Sequence, residues 1–191
     1  GITARTLVFD VADQMVVGGK LRATTTLDID VHSTTGANNL WSFPDGLNSF
    51  FAESGSVIET LNAGGSFSLD TVASVKTEGR LAAVGNGASM KIDGKTTMVV
   101  FRSGVVAGHS VVIDVDRELL VEGTVTGGVL VRLDIQNAGK TNSVVSYPDG
   151  LNSLTTRLGG RVNTLQAGSL IDINPAASVK IGGPVEAAGA G

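Results

Sequence analysis

No cysteine occurs among the 191 residues, which excludes disulfides, thiolate catalysis and thiolate metal ligation. Aromatic residues are few, with one Trp, one Tyr and six Phe, and proline numbers only 4. Charge is sparse too: 14 basic residues stand against 18 acidic ones, for a net charge of −4. With no Lys/Arg cluster, the chain lacks the electrostatic footprint of a nucleic-acid binder. No apolar run approaches the roughly 18 residues of a membrane-spanning helix, so no membrane insertion is expected. The chain opens at Gly1 without a Met or a basic leader, which reads as a processed chain or a fragment. What is abundant is glycine, 26 residues, and β-branched side chains: Val, Ile and Thr make up 52 of the 191. Such side chains pack well on a pleated surface and crowd a helix.

The chain matches itself. The block SFPDGLNS at 42–49 returns as SYPDGLNS at 146–153, an offset of 104 residues. At that offset residues 1–87 align with 105–191 without a gap, and 27 of the 87 positions are identical. Asp10 meets Asp114, Asp30 meets Asp134, and Ala73-Ser74-Val75-Lys76 meets Ala177-Ser178-Val179-Lys180. Two repeats are therefore expected, 1–104 and 105–191, the first with an aligned core of 1–87 and a bridging segment 88–104. That segment reads either as a strand pair around Asp93-Gly94 or, preferably, as the end of a repeat whose true period is 104. On the second reading the chain is a piece of a longer array.

Period-two alternation pervades the sequence and period 3.6 is nearly absent, so the fold class is all-β. Strands are expected at 6–11, 15–17, 25–31, 66–69, 89–92, 97–102, 110–115, 119–121, 129–135, 169–173 and 178–181. A helical turn is expected only at 46–52 and its copy 150–157, after Pro-Asp. Very short strands separated by small-residue corners favour a parallel β-solenoid of about 21 residues per coil, five coils to a repeat. The alternative is two tandem antiparallel β-sandwich domains of about 100 residues each.

The run AGSLIDINPAASVKIGGPVEAAGAG at 167–191 resembles the β-helical shafts of large bacterial surface proteins, the filamentous-haemagglutinin-type adhesins and autotransporter passengers. The texture covers roughly 56–87 and 160–191. The resemblance implies an exported or cell-surface protein with a stalk, sheath or filament role. It also implies partners that are copies of the chain or adjacent repeats, as homo-oligomer or filament, and usually no catalysis. A viral capsid-decorating or spike protein is the alternative, since such proteins are also all-β, Cys-free and often duplicated.

The repeated block supplies the candidate binding residues: Pro44, Asp45, Gly46 and Asn48, with Pro148, Asp149, Gly150 and Asn152. Their carboxylate and amide oxygens suit Ca²⁺ or a cell-surface glycan or protein, while Pro-Asp-Gly is in itself a strong turn sequence. No specific calcium motif accompanies them, so no cofactor is expected. Trp41, Phe43 and Tyr147 are candidate aromatic contacts, and Phe50 and Phe51 extend that cluster in the first copy. The acid pairs Asp28/Asp30 and Asp114/Asp116 each place two carboxylates on one strand face, although neither pair survives between copies. His32 and His109 have no metal-ligand spacing, and no metal site is expected. Neither a nucleophile elbow nor a phosphate-binding loop occurs, and no catalytic residue is expected.

Overall fold

The computed structural model describes residues 1–32, 49–72, 74–94, 97–136, 153–175 and 178–189. Among these every regular element is a strand and every strand pairing is parallel. The chain is a parallel β-solenoid. The antiparallel sandwich alternative is thereby excluded, since a sandwich needs hairpin-connected neighbours.

Successive coils can be followed along the chain. The first holds β1 (Ile2–Val11) and β2 (Met15–Val17), and the second holds β3 (Lys20–Val31) and β4 (Ser49–Ala52). The third carries β5 (Val57–Thr60), β6 (Ser66–Thr71) and β7 (Ser74–Thr77); the fourth carries β8 (Arg80–Ala83), β9 (Ser89–Gly94) and β10 (Thr97–Val100). Next come β11 (Val105–Val115) with β12 (Glu118–Val121), then β13 (Thr124–Ile135) with β14 (Ser153–Thr156). The seventh coil holds β15 (Arg161–Thr164), β16 (Leu170–Pro175) and β17 (Ser178–Ile181), and β18 (Val185–Glu186) opens an eighth.

Strands β3 to β7 and β13 to β17 have the same bounds once shifted by 104 residues. Four coils span that shift, not five. The reason is that Lys20 pairs with Val57, 37 residues on, because residues 32–48 are carried between β3 and β4. The sixth coil carries 136–152 in the same way, with Thr124 paired to Arg161 37 residues on, and the other coils take about 19 to 25 residues, as in Ile2 to Leu21 and Ser49 to Ser74. At the 104/105 junction β11 pairs with both β8 and β9, so the wide sheet runs through it unbroken.

The strands form one 11-stranded and one 7-stranded sheet. Parallel register turns each inward position into a column along the stack. One runs Leu7, Leu27, Phe67, Met90, Val111, Val131, Ile171; the facing column of the narrow sheet runs Met15, Phe50, Val75, Met98, Leu119, Leu154, Val179. Apart from Val179, which is exposed, their side chains form or pack against one continuous hydrophobic core. Burying a Leu or Phe in such a column contributes about 1.5–3 kcal/mol. Strands β10 and β12 are buried on both faces, which is why TMVV and ELLV read as unbroken runs rather than alternating ones.

Two local expectations change. Of the helical turns expected at 46–52 and 150–157, residues 49–52 and 153–156 are strands β4 and β14, while 46–48 and 150–152 lie outside the described residues. Phe50 and Ala52 point inward in β4, as Leu154 does in β14, and four residues are too few for a period to declare itself. The strand pair around Asp93-Gly94 is no hairpin either, because β9 and β10 belong to different sheets.

Corners explain much of the glycine. Where the chain passes from the narrow sheet to the wide one, Gly104, Gly123, Gly160 and Gly183 stack coil upon coil. A Cβ on Gly123 would overlap the carbonyl oxygens of Phe101 and Gly104, and one on Gly160 would overlap that of Val121. The same corners close with Thr124 N–H donating to Gly104 O at 3.0 Å and Arg161 N–H to Gly123 O at 2.8 Å. The turns into β6 and β16 use Gly64 (φ 68°) and Gly168 (φ 73°), in the left-handed region that glycine alone enters without strain.

Candidate functional site

The binding residues expected from sequence, Pro44, Asp45, Gly46 and Asn48 with Pro148, Asp149, Gly150 and Asn152, lie outside the described residues, as do Trp41, Phe43 and Tyr147. The strand ends that flank them are described. Val31 and Ile135 occupy one column of the wide sheet, through Thr71, Gly94 and Val115. At about 4.8 Å per coil, the two departure points sit roughly 19 Å apart along the axis.

Of the aromatic cluster, Phe50 is wholly buried, and Leu154 is buried at the corresponding place in β14. Phe51 points outward, with Lys76 Nζ 4.6 Å from its ring centroid and 4.6 Å from that of Phe101. Core packing accounts for Phe50, and a cation–π stack accounts for Phe51.

Parallel register assembles a feature on the outer face of the wide sheet. Asp10 pairs with Asp30, then Asp70, Asp93, Asp114 and Asp134 in turn, and Asn174 closes the column. Six carboxylates thus stack on successive coils, an arrangement that costs Coulomb energy when like charges face each other directly. The neighbouring residues offset part of that cost. His32 lies just past the end of β3, with Nε2 3.1 Å from Asp10 Oδ1 and Nδ1 3.3 Å from Asp30 Oδ1. Gln136, at the same place past β13, donates from Nε2 to Asp114 Oδ2 at 3.4 Å. Lys91 Nζ stands 3.6 Å from Asp93 Oδ2, and in a neighbouring column outside the ladder Arg132 Nε donates to Asp172 Oδ2 at 2.9 Å.

This ladder redistributes the acids picked out in sequence. Asp28 and Asp30 do share the outer face of β3, but Asp116 falls beyond the end of β11, away from Asp114's column. His32, with no acid near it in sequence apart from Asp30, is brought against Asp10 by the coil. Asp70 and Asp93 were not singled out as site residues. The signal that could have found them is a comb of Asp at spacings of one coil, 20 residues for Asp10/Asp30 and 23 for Asp70/Asp93. Among the described residues no group of three or more His, Cys, Asp or Glu side chains is arranged to hold a metal ion.

A groove of about 520 Å³ lies where the wide sheet bends, lined among others by Arg80, Asn86, His109, Thr126 and Gln166. Backbone irregularity between Gly108 and Ser110 makes the bend in β11. The glycines of β13 allow His109 to sit close, since a Cβ on Gly128 would stand 3.0 Å from its Nδ1. Beside the groove, Glu59 is mostly buried and accepts from Arg22 Nε at 2.9 Å. In the other repeat the pair becomes Thr126 donating to Asn163 at 2.8 Å. The groove offers hydrogen-bonding groups. No helix among the described residues is long and apolar enough to cross a membrane. No protein-family model, curated protein or solved structure matches the chain.

Proposed function

We propose that the chain is a structural and interaction segment of an extracellular repeat protein, a stalk, sheath or filament, and that it carries no catalysis. The observation that supports this reading is the column register. Every coil presents the same outer positions as the one before, so the surface repeats along one axis at about 4.8 Å. Such a surface suits length and multivalent contact better than a single small-molecule site. Its partners are then copies of itself or adjacent repeats, with a cell-surface glycan or protein as the surface that the two 32–48 and 136–152 segments would meet. A contact between different faces propagates as an open filament and does not close.

Sedimentation velocity and negative-stain microscopy across a concentration series test this. Rods that lengthen with concentration are the expected result. A strict monomer at high micromolar concentration would overturn the self-assembling version.

A further inference from the structure

The bend of the wide sheet is built differently in the two repeats. Both bends carry a β-bulge, in which Thr24 and Thr25 oppose Arg5 alone and Gly128 and Val129 oppose His109 alone. In the first repeat the threonines close the bend, their Oγ1 atoms donating to Arg5 O at 3.4 and 2.9 Å. In the second, glycine leaves it open. A Cβ on Gly127 would overlap Leu130 O, and one on Gly128 would crowd His109. His109 there lines the groove together with Arg80, Asn86, Thr126 and Gln166. Beside it Glu59 takes Arg22 Nε at 2.9 Å, which leaves Arg80 Nε 3.8 Å from its other oxygen. The Arg80 side chain is 42% exposed, and no acid stands among the described residues that line the groove. A chain of net charge −4 thus gathers here a lightly held guanidinium, an imidazole, two carboxamides and a hydroxyl.

From this we infer that the groove binds an acidic oligosaccharide, a short chain of uronic acid units, with Arg80 on a ring carboxylate. This site goes beyond the structural reading above and does not depend on it. A guanidinium fork matches a carboxylate with two parallel hydrogen bonds. Sugar hydroxyls both donate and accept, and so do the carboxamides of Asn86 and Gln166 and the Thr126 hydroxyl. Val84 and Ala107 give the wall an apolar surface for the C–H face of a ring. From Asn86 on the fourth coil to Gln166 on the seventh the groove spans three coil steps, roughly 14 Å at about 4.8 Å each. Its volume of about 520 Å³ lies within the roughly 300–1,000 Å³ of small-molecule sites. A peptide added as a strand is disfavoured, because the groove lies on a sheet face where β8, β11 and β13 already pair with one another.

The probes are tetrasaccharides of galacturonate, mannuronate and glucuronate, titrated calorimetrically into the 191-residue chain, with neutral galactotetraose and tetraglutamate as controls. Saturable binding of at least one uronate is expected, with both controls weaker by about tenfold or more. Arg80→Gln should weaken binding by about tenfold or more, the loss of one charge-assisted contact. Asn86→Ala with Gln166→Ala, both exposed, should weaken it severalfold and gives a second reading should Arg80→Gln disturb the fold. Arg5→Gln, at the bend of the first repeat, should leave it unchanged. The inference is overturned if none of the three uronates binds, or if galactotetraose or tetraglutamate binds as well as the best of them. It is also overturned if folded Arg80→Gln binds normally, or if Arg5→Gln does equal damage. Rods that bind no uronate would remove this inference and leave the structural reading, whereas uronate binding by a strict monomer would keep the site and remove self-assembly.

Discussion

The third coil and the seventh are 104 residues apart, have identical strand bounds and carry the same Ala-Ser-Val-Lys stretch before or within their last strand. Their energetics differ nonetheless. Leu69 is wholly buried, and its counterpart Ile173 only partly; Val75 is wholly buried, and Val179 is 42% exposed. Identical local sequence thus forms the same strand in both places, while burial comes from the coil that lies next to it. In a stack whose units touch only their neighbours, stability is close to a sum of unit and interface terms.

The comparison can be broken most forcefully at the corners. Gly123→Ala, inside the stack, should lower stability by about 3 kcal/mol, because the methyl meets two backbone carbonyls that cannot move aside. Gly19→Ala at the first corner, with no atom within 4 Å, should change it by less than about 0.5 kcal/mol. Urea titrations of both variants would check this, and equal effects would mean that the coils are not stacked as described.

Core truncation sharpens the contrast at a smaller scale. Leu69→Ala should cost about 3 kcal/mol, within the range for buried aliphatic side chains. Ile173→Ala should cost only about 1 kcal/mol, since less apolar surface is lost there. The ratio of the two thermal shifts is the readout, and a ratio near one would place a covering layer over the seventh coil.

The smallest effect concerns the ladder. Asp70 of the third coil has Asn174 as its counterpart in the seventh, next to Asp134. Asn174→Asp extends the like-charge column and should destabilise by a few tenths of a kcal/mol. Melting in low salt would show it, and 1 M salt should abolish it, because the Debye length then falls to about 3 Å.

Much of the architecture was legible in the residues. Alternation in 25–31 and 129–135 pointed to strands, and very short strands between small-residue corners pointed to parallel coils, while the 104-residue repeat length also suited tandem sandwiches. Strands β4, β5, β7, β8, β14, β15 and β18 escaped, since two to four residues carry little alternation, although β2, β10, β12 and β17, which are no longer than these, were expected. The helical reading gave way over 49–52 for that reason. The binding residues expected around Pro-Asp-Gly lie outside the described residues, and the aspartate ladder replaced the acid pairs as the extended polar feature of the surface.

By itself the sequence determined the strand content, the corners and the repeat offset, because β-branching, alternation and glycine act within a few residues. Only the tertiary structure decided which residues share a column, that His32 meets Asp10, and which coils lie covered or bare. Those depend on register between segments about 20 to 40 residues apart. A shift of one residue there would turn each inward side chain outward.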